Sequence, residues 1–178
     1  MIEDLIRERV KKLDNLRIQG IDPYPARARR TASIGETLGR FSTLEKEKRS
    51  VTIAGRIARF RNQGNLFFLD LRDASADLQV VARKDELKDF KLFRDHLDLG
   101  DFVEVSGPLF KTKRGERSID ARAMRFLVKT IRPLPSEWHG LHDQELRLRK
   151  RYLDLLANPE VKDLFIRKNK FWQTARSF

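Results

Sequence analysis

Apolar and polar positions change their rhythm several times along the chain. In the first segment Ile2, Leu5, Ile6, Val10, Leu13 and Leu16 recur every three or four residues, which places them near one face of a helix. Gly20 can end that helix in the left-handed cap conformation. The two prolines of GIDPYP then impose an extended path. Residues 24–50 read as a basic loop holding one short helix around Ile34–Leu38. From Val51 the pattern is that of strands. VTIAGRIARF is anchored by Val51, Ile53, Ile57 and Phe60, RNQGN turns, LFFLDLRD is a second strand, DASA turns again and DLQVVAR is a third. KDELKDFKLFRDHL returns to helical spacing through Leu87, Phe90, Phe93 and Leu97, with Gly100 just beyond. FVEVSGPLF is a fourth strand, interrupted at Gly107 and Pro108 as at a bulge or a barrel corner. KTKRGE turns, and RSIDARAMRFLVK is the fifth. After it IRPLPSEWHG is a linker, and the remainder reads as helical, with Pro159 opening the last helix and Asn158 as its N-cap.

Three strands, a helix and two more strands make a mainly β fold with flanking helices. That order is the plan of the five-stranded OB-fold barrel, here preceded by an N-terminal helix and followed by C-terminal helices. A plain five-stranded barrel with another role satisfies the same order. The pattern divides the chain into an N-terminal helical extension (1–50), the barrel (51–132) and a linker with the start of a further domain (133–178). The last helix runs to Phe178 carrying Val161, Leu164, Phe165, Phe171 and Trp172 with no later partner, which leads us to expect a chain cut from something larger.

Charge sharpens this outline. The 178 residues carry 38 Lys and Arg against 26 Asp and Glu, a net +12 at pH 7. A polyanion partner accounts for such a balance, and so does a solvated basic surface. With no cysteine, the chain has no disulfide, thiolate metal site or thiol nucleophile. No apolar run approaches a membrane span, and MIEDLIRERVKKL, with three acidic residues, is not a secretory signal, so a cytoplasmic location is expected. His139 and His142 stand three apart but have no Cys and no further His nearby, which favours linker packing over a metal. Asp70 and Asp73 fit a strand end and its turn better than a catalytic pair. No P-loop or GxGxxG is present.

The barrel segment interleaves aromatic and basic residues. Strand alternation sends Phe67 and Phe68 to opposite faces of strand 2, one into the core and one outward, where a single-stranded base could stack. Gln79 on the neighbouring strand 3 carries one acceptor and two donors, enough to pair with a uracil edge. Arg61 and Glu116 lie at the barrel rim. From composition alone a solvated charge is the favoured reading of Arg61 and Glu116.

Three stretches resemble the bacterial-type class II lysyl-tRNA synthetases: KLDNLRIQGIDPYP; GRIARFRNQGNLFFLDLRD with LQVVARKDEL and DLGDFVEVSGPLFKTKRGERSI; and RPLPSEWHGLHDQELRLRKRYLDLLANPEV. They cover nearly the whole chain. The third is the most specific, because aspartyl and asparaginyl enzymes share the barrel and a version of RYLDL but not the RPLP and WHGL lead-in.

The resemblance implies an anticodon-binding module for lysine tRNA. Phe68 matches the aromatic that stacks on an anticodon base, Gln79 the amide that reads the central uridine, Arg61 a basic residue beside that base, and Glu116 an acidic contact near the first base. Lys111 and Lys113 are expected on the RNA backbone. Asn65 stands where Lys is usual, Ala76 and Asp77 where Gly and a basic residue are usual, and Arg117 where Leu is usual, departures that bear on phosphate contacts around the strand 2–3 hairpin. The last helix resembles the opening of the first class II motif, while the ATP-binding motifs do not occur in the chain. No catalytic residue, cofactor or metal is therefore expected here. The resemblance implies ATP and Mg2+ for the full-length enzyme, together with lysine attachment to tRNA and a homodimer. The competing assignment is a stand-alone OB protein that binds single-stranded nucleic acid.

Overall fold

Six strands form one sheet: β1 (Ser50–Asn62), β2 (Leu66–Arg72), β3 (Asp77–Arg83), β4 (Phe102–Lys111), β5 (Arg117–Asp120) and β6 (Ala123–Val128). The computed structural model describes residues 2–134 and 143–178. Hydrogen bonding runs β1-β2-β3-β5-β4, and β1 pairs again with β4, so five strands close into a ring. β3 and β5 meet in parallel, through Gln79↔Ser118, Val80↔Ile119 and Val81↔Asp120, and the other pairings are antiparallel. β6 continues along β4 outside the ring.

Alternation dictates the interior. Along β2 every second residue is buried, with Phe67, Leu69 and Leu71 wholly inside. Ile53 and Ile57 of β1, Val80 of β3, Val103 and Val105 of β4 and Ile119 of β5 fill the same core. The predicted fifth strand is two strands, because the chain breaks at Ala121 and Arg122 and leaves β5 to pair with β3 while β6 pairs with β4. Of the bulge and the barrel corner expected at Gly107, the structure shows the corner: β4 stays in register with β1 through Val51↔Gly107 and Ser50↔Pro108. The irregularities lie instead between Ile57 and Arg59 and between Phe102 and Val103. Gly107 is a corner where β4 exchanges β6 for β5, and a Cβ there would sit 1.8 Å from the Asp120 carbonyl oxygen. Only glycine allows that approach.

Helices plug and buttress the ring. α1 (Ile2–Ile18) ends in a Schellman motif: Gly20 adopts φ +73°, its N–H donates to Arg17 O, and the Ile21 N–H donates to Leu16 O. Its Arg9 is buried and donates to the Leu99 and Thr130 carbonyls. α2 (Ile34–Gly39) starts from a capping box between Ser33 and Glu36. α3 (Phe41–Lys46), which the pattern does not predict, buries Phe41 and Leu44. At one end of the barrel the predicted 84–97 helix is shorter, α4 (Phe90–His96), because Asp89 takes a left-handed φ of +60° and breaks it. Leu87, Phe90, Phe93 and Leu97 are nevertheless all buried. Phe90 lies 5.1 Å from Phe67 and Phe93 stacks on Phe126 at 5.3 Å.

Beside this core sits a buried ionic cluster. Lys129 and Asp101 have no exposed side-chain surface and are 2.7 Å apart, Lys129 also donates to Asp98, and Lys12 of α1 reaches Asp98 at 2.7 Å. Asp101 accepts further from the Thr130 and Asp98 N–H groups at 2.8 and 2.9 Å.

Contacts divide the chain into Met1–Pro133 and Leu134–Phe178. The second unit holds α5 (Gln144–Arg149), α6 (Arg151–Ala157) and α7 (Pro159–Ser177). Asp143 caps α5 by accepting from the Leu146 N–H. Asp154 of α6 is fully buried and receives Arg147, Arg151 and Asn158. Asn158 occupies the N-cap position of α7, but its side chain donates to Asp154 at 2.6 Å and caps nothing. Leu164, Phe171 and Trp172 of α7 are exposed. The predicted pair His139 and His142, and most of the predicted linker, lie outside the described residues.

Candidate nucleic-acid interface

The outer face of the ring gathers the residues of interest through register alone. Arg61 of β1 lies opposite Phe68 of β2, which lies opposite Val81 of β3. One step along, Arg59 faces Asp70, Asp70 faces Gln79, Gln79 faces Ser118 of β5, and Ser118 faces Phe110 of β4. Paired residues share a face. Phe67 is therefore core, while Phe68 is half-buried on the outside with the Arg61 guanidinium 5.6 Å from its ring centroid.

Gln79 is the most constrained side chain on this face. It is 6% exposed. Its Oε1 accepts from the Ser118 hydroxyl at 2.9 Å, and its Nε2 donates to Glu116 at 2.8 Å. These two partners fix which end of the amide is which. They also leave one N–H and one oxygen lone pair unused. Glu116 reaches Gln79 from the β4–β5 turn. In that turn Gly115 takes φ +83°, the Thr112 N–H donates to Glu116 O, and the Glu116 N–H donates to Thr112 Oγ1. Lys111, at the end of β4, and Lys113, in the turn, are exposed; Lys111 pairs with Arg117, one residue on from the Phe110–Ser118 pair, so alternation turns it away from the face of Gln79.

Acidic groups are interleaved with the basic ones. Burial holds the Asp70 carboxyl above the ordinary carboxylate range, against the pull of Arg61 and Arg59. Burial likewise raises Asp120, which Arg83 opposes by an ion pair. Of the unusual hairpin residues, Asp77 is engaged by Arg72 at 2.9 Å, and Arg117 lies over the Phe41 ring at 5.5 Å.

Sequence reasoning did not single out Ser118, Asp70, Arg83 or Phe110 for this face. No local signal marks Ser118, which meets Gln79 through the pairing of β5 with β3. For Arg83 the signal was the four-residue step from Gln79 along β3. Among the described residues no three His, Cys, Asp or Glu side chains are grouped so that they could hold a metal ion. No helix among them is long and apolar enough to cross a membrane.

Residues 51–127 match the family of OB-fold nucleic acid binding domains named for the tRNA anticodon. The ring belongs to the tRNA-anticodon OB-fold family. Similarity to relatives extends beyond this OB domain in both directions. The chain is 45% identical to a lysine–tRNA ligase of Roseiflexus castenholzii over 99% of its own length and 37% of the relative's. Against the lysine–tRNA ligase of Bacillus subtilis it is 40% identical over 99% of the chain and 37% of the relative, and against lysine–tRNA ligase 2 of Methanosarcina acetivorans 41% over 96% and 34%. The chain thus corresponds to the N-terminal region of such ligases, with the OB domain inside it, and spans a little over a third of their length.

Proposed function

We propose that this chain binds the anticodon loop of lysine tRNA and selects it by its central uridine. The observation that carries the reading is the Gln79 amide, held at fixed orientation between Ser118 and Glu116 on the face that also presents Phe68. Its unused N–H and lone pair match an acceptor and the N3–H donor on a uracil edge. A base of the wrong pattern leaves buried polar groups unpaired, and that penalty is where selectivity comes from. Phe68 supplies a stacking surface for a neighbouring base, tolerant of sequence. Arg61 adds positive charge beside it. Glu116 holds Gln79 and offers an acceptor near the first anticodon base. Lys111 and Lys113 serve the RNA backbone, where contacts position without specifying.

We also propose that this region works within a longer, dimeric protein that joins lysine to tRNA in the cytoplasm with ATP and Mg2+, the remaining length of such a protein supplying the lysine and ATP sites. The proportion of each relative that the chain matches supports this.

The test titrates the chain with a lysine anticodon stem-loop and with its central-base variant. Phe68→Ala should weaken both RNAs about ten- to hundredfold. Gln79→Ala should weaken the lysine loop selectively and shrink the preference for the central uridine. Equal losses on both RNAs from Gln79→Ala would replace this reading with sequence-independent single-strand binding.

A further inference from the structure

Phe68 and Gln79 occupy β2 and β3, and the same face continues over β5 and β4. There a second arginine lies on a second phenylalanine. Arg83 follows Gln79 and Val81 on the outward side of β3, and its guanidinium carbon lies 5.2 Å from the centroid of the Phe110 ring. Phe110 shares the face through its register with Ser118, which bonds Gln79. An ion pair to Asp120, whose side chain is only 10% exposed, anchors the guanidinium. Even so, 41% of the Arg83 side chain remains in solvent. The result is a flat cation, backed by a ring, held by a buried carboxylate and still accessible.

From this geometry we infer a second base-stacking platform, Arg83 on Phe110, which takes a nucleobase of the single-stranded loop on the opposite side of Gln79 from Phe68. Guanidinium planes stack bases as aromatic rings do, and a guanidinium already immobilised loses little freedom when a base settles on it. An ordinary surface ion pair would explain the contact with Asp120 but not the seat on Phe110. The order of contacts also fits a strand crossing the sheet, with a stack on β2, an edge reader on β3 and a stack over β5 and β4. A stacked base is read by its plane and not its edge, so the platform should accept any of the four bases. This inference rests on the proposed anticodon-loop function, whose site it extends.

The experiment scans the seven-nucleotide loop of the lysine anticodon stem-loop with single abasic substitutions, against the parent chain, Arg83→Ala and Arg83→Lys. Besides positions attributable to Phe68 and Gln79, the parent should show a further position where loss of the base costs about five- to hundredfold in Kd. In Arg83→Ala that penalty should vanish at this position alone. Arg83→Lys keeps the charge and the ion pair but not the plane, so it should behave as Arg83→Ala does. Restoration of affinity and of the abasic penalty by Lys would make Arg83 a phosphate contact and overturn the platform. A parent that discriminates the central base but shows an unchanged abasic profile in Arg83→Ala overturns the platform while leaving the anticodon reading intact. A parent that does not bind the loop overturns both.

Discussion

Lys129 is the residue whose removal should cost the barrel most for a single polar group. Its ammonium is wholly buried and serves both Asp98 and Asp101. Lys129→Met keeps most of the side-chain volume and deletes the charge. Asp98 retains Lys12 and some solvent, so its loss is partial. Asp101 has no such recourse: it is fully buried, and its remaining donors are the backbone N–H groups of Thr130 and Asp98. Breaking a buried pair by removing one partner typically costs about 3–5 kcal/mol. That is a large part of the ~5–15 kcal/mol that holds a typical domain together. Urea unfolding followed by far-UV circular dichroism should show a loss in that range. Asp101→Asn/Lys129→Met, which leaves no unpaired charge, should recover at least half of it. Acidity gives a second check. Burial already raises the Asp101 carboxyl, against the opposing pull of Lys129. Without Lys129 it should rise further, so the folded state binds this proton better than the unfolded state does. The deficit of Lys129→Met should then shrink as pH falls from 7 toward the unfolded-state value of about 3.9. A loss under about 1 kcal/mol, or a double variant no more stable than the single one, would refute the reasoning.

Ser118→Ala should lower the preference for a central uridine by up to about tenfold with little effect on loops of other sequence, because it frees the Gln79 amide to rotate; paired titrations check it. Asp73→Ala should cost about 1–3 kcal/mol, since its carboxylate accepts from the Ile34 N–H of α2, the Ser75 N–H and hydroxyl, and the Ala76 N–H. Burial pushes this carboxyl up, but those hydrogen bonds outweigh it and leave it below its ordinary value. Its stabilisation is therefore present above about pH 3.9 and lost as pH falls through the depressed value, so parent and variant stabilities should converge in acid melts. RNA affinity should fall steeply between low and high salt, and Lys111→Ala/Lys113→Ala should flatten that slope for all RNAs alike, as salt-dependent filter binding would show. Lysine-dependent pyrophosphate exchange by this chain should not exceed a no-enzyme control.

Strand positions were legible because each face of a strand repeats every two residues, and β2 records this in Phe67, Leu69 and Leu71. The same arithmetic put Phe67 and Phe68 on opposite faces, and the family resemblance picked out Phe68 as the outward one. Short helices were harder. FSTLEK gives α3 only two buried anchors, too few to reveal a period. Residues 84–89 carry helical spacing, but Leu87 reaches the core from a turn, and spacing alone does not distinguish the two. The split between β5 and β6 depends on how close Gly107 comes to Asp120, a contact between distant segments. The site divides along the same line. Gln79 and Phe68 could be nominated from residue type and neighbouring strands. Ser118 and Arg83 acquire their roles only through β5, whose parallel partner no local pattern names.

The parallel seam between β3 and β5 has a consequence for the order of events after synthesis. Gln79 and Ser118 are separated by 39 positions in sequence, and the strands joining them must close the ring before their side chains meet. Long-range pairings of this kind bear a loop-closure cost early and are slow to form. On the proposed function, a nascent or partly opened barrel would already expose Phe68 and basic side chains, enough for loose association with RNA. It cannot present an oriented Gln79. If Gln79 reads the RNA as proposed, discrimination would be tied to completion of the fold, and an immature chain should hold RNA only weakly and without preference.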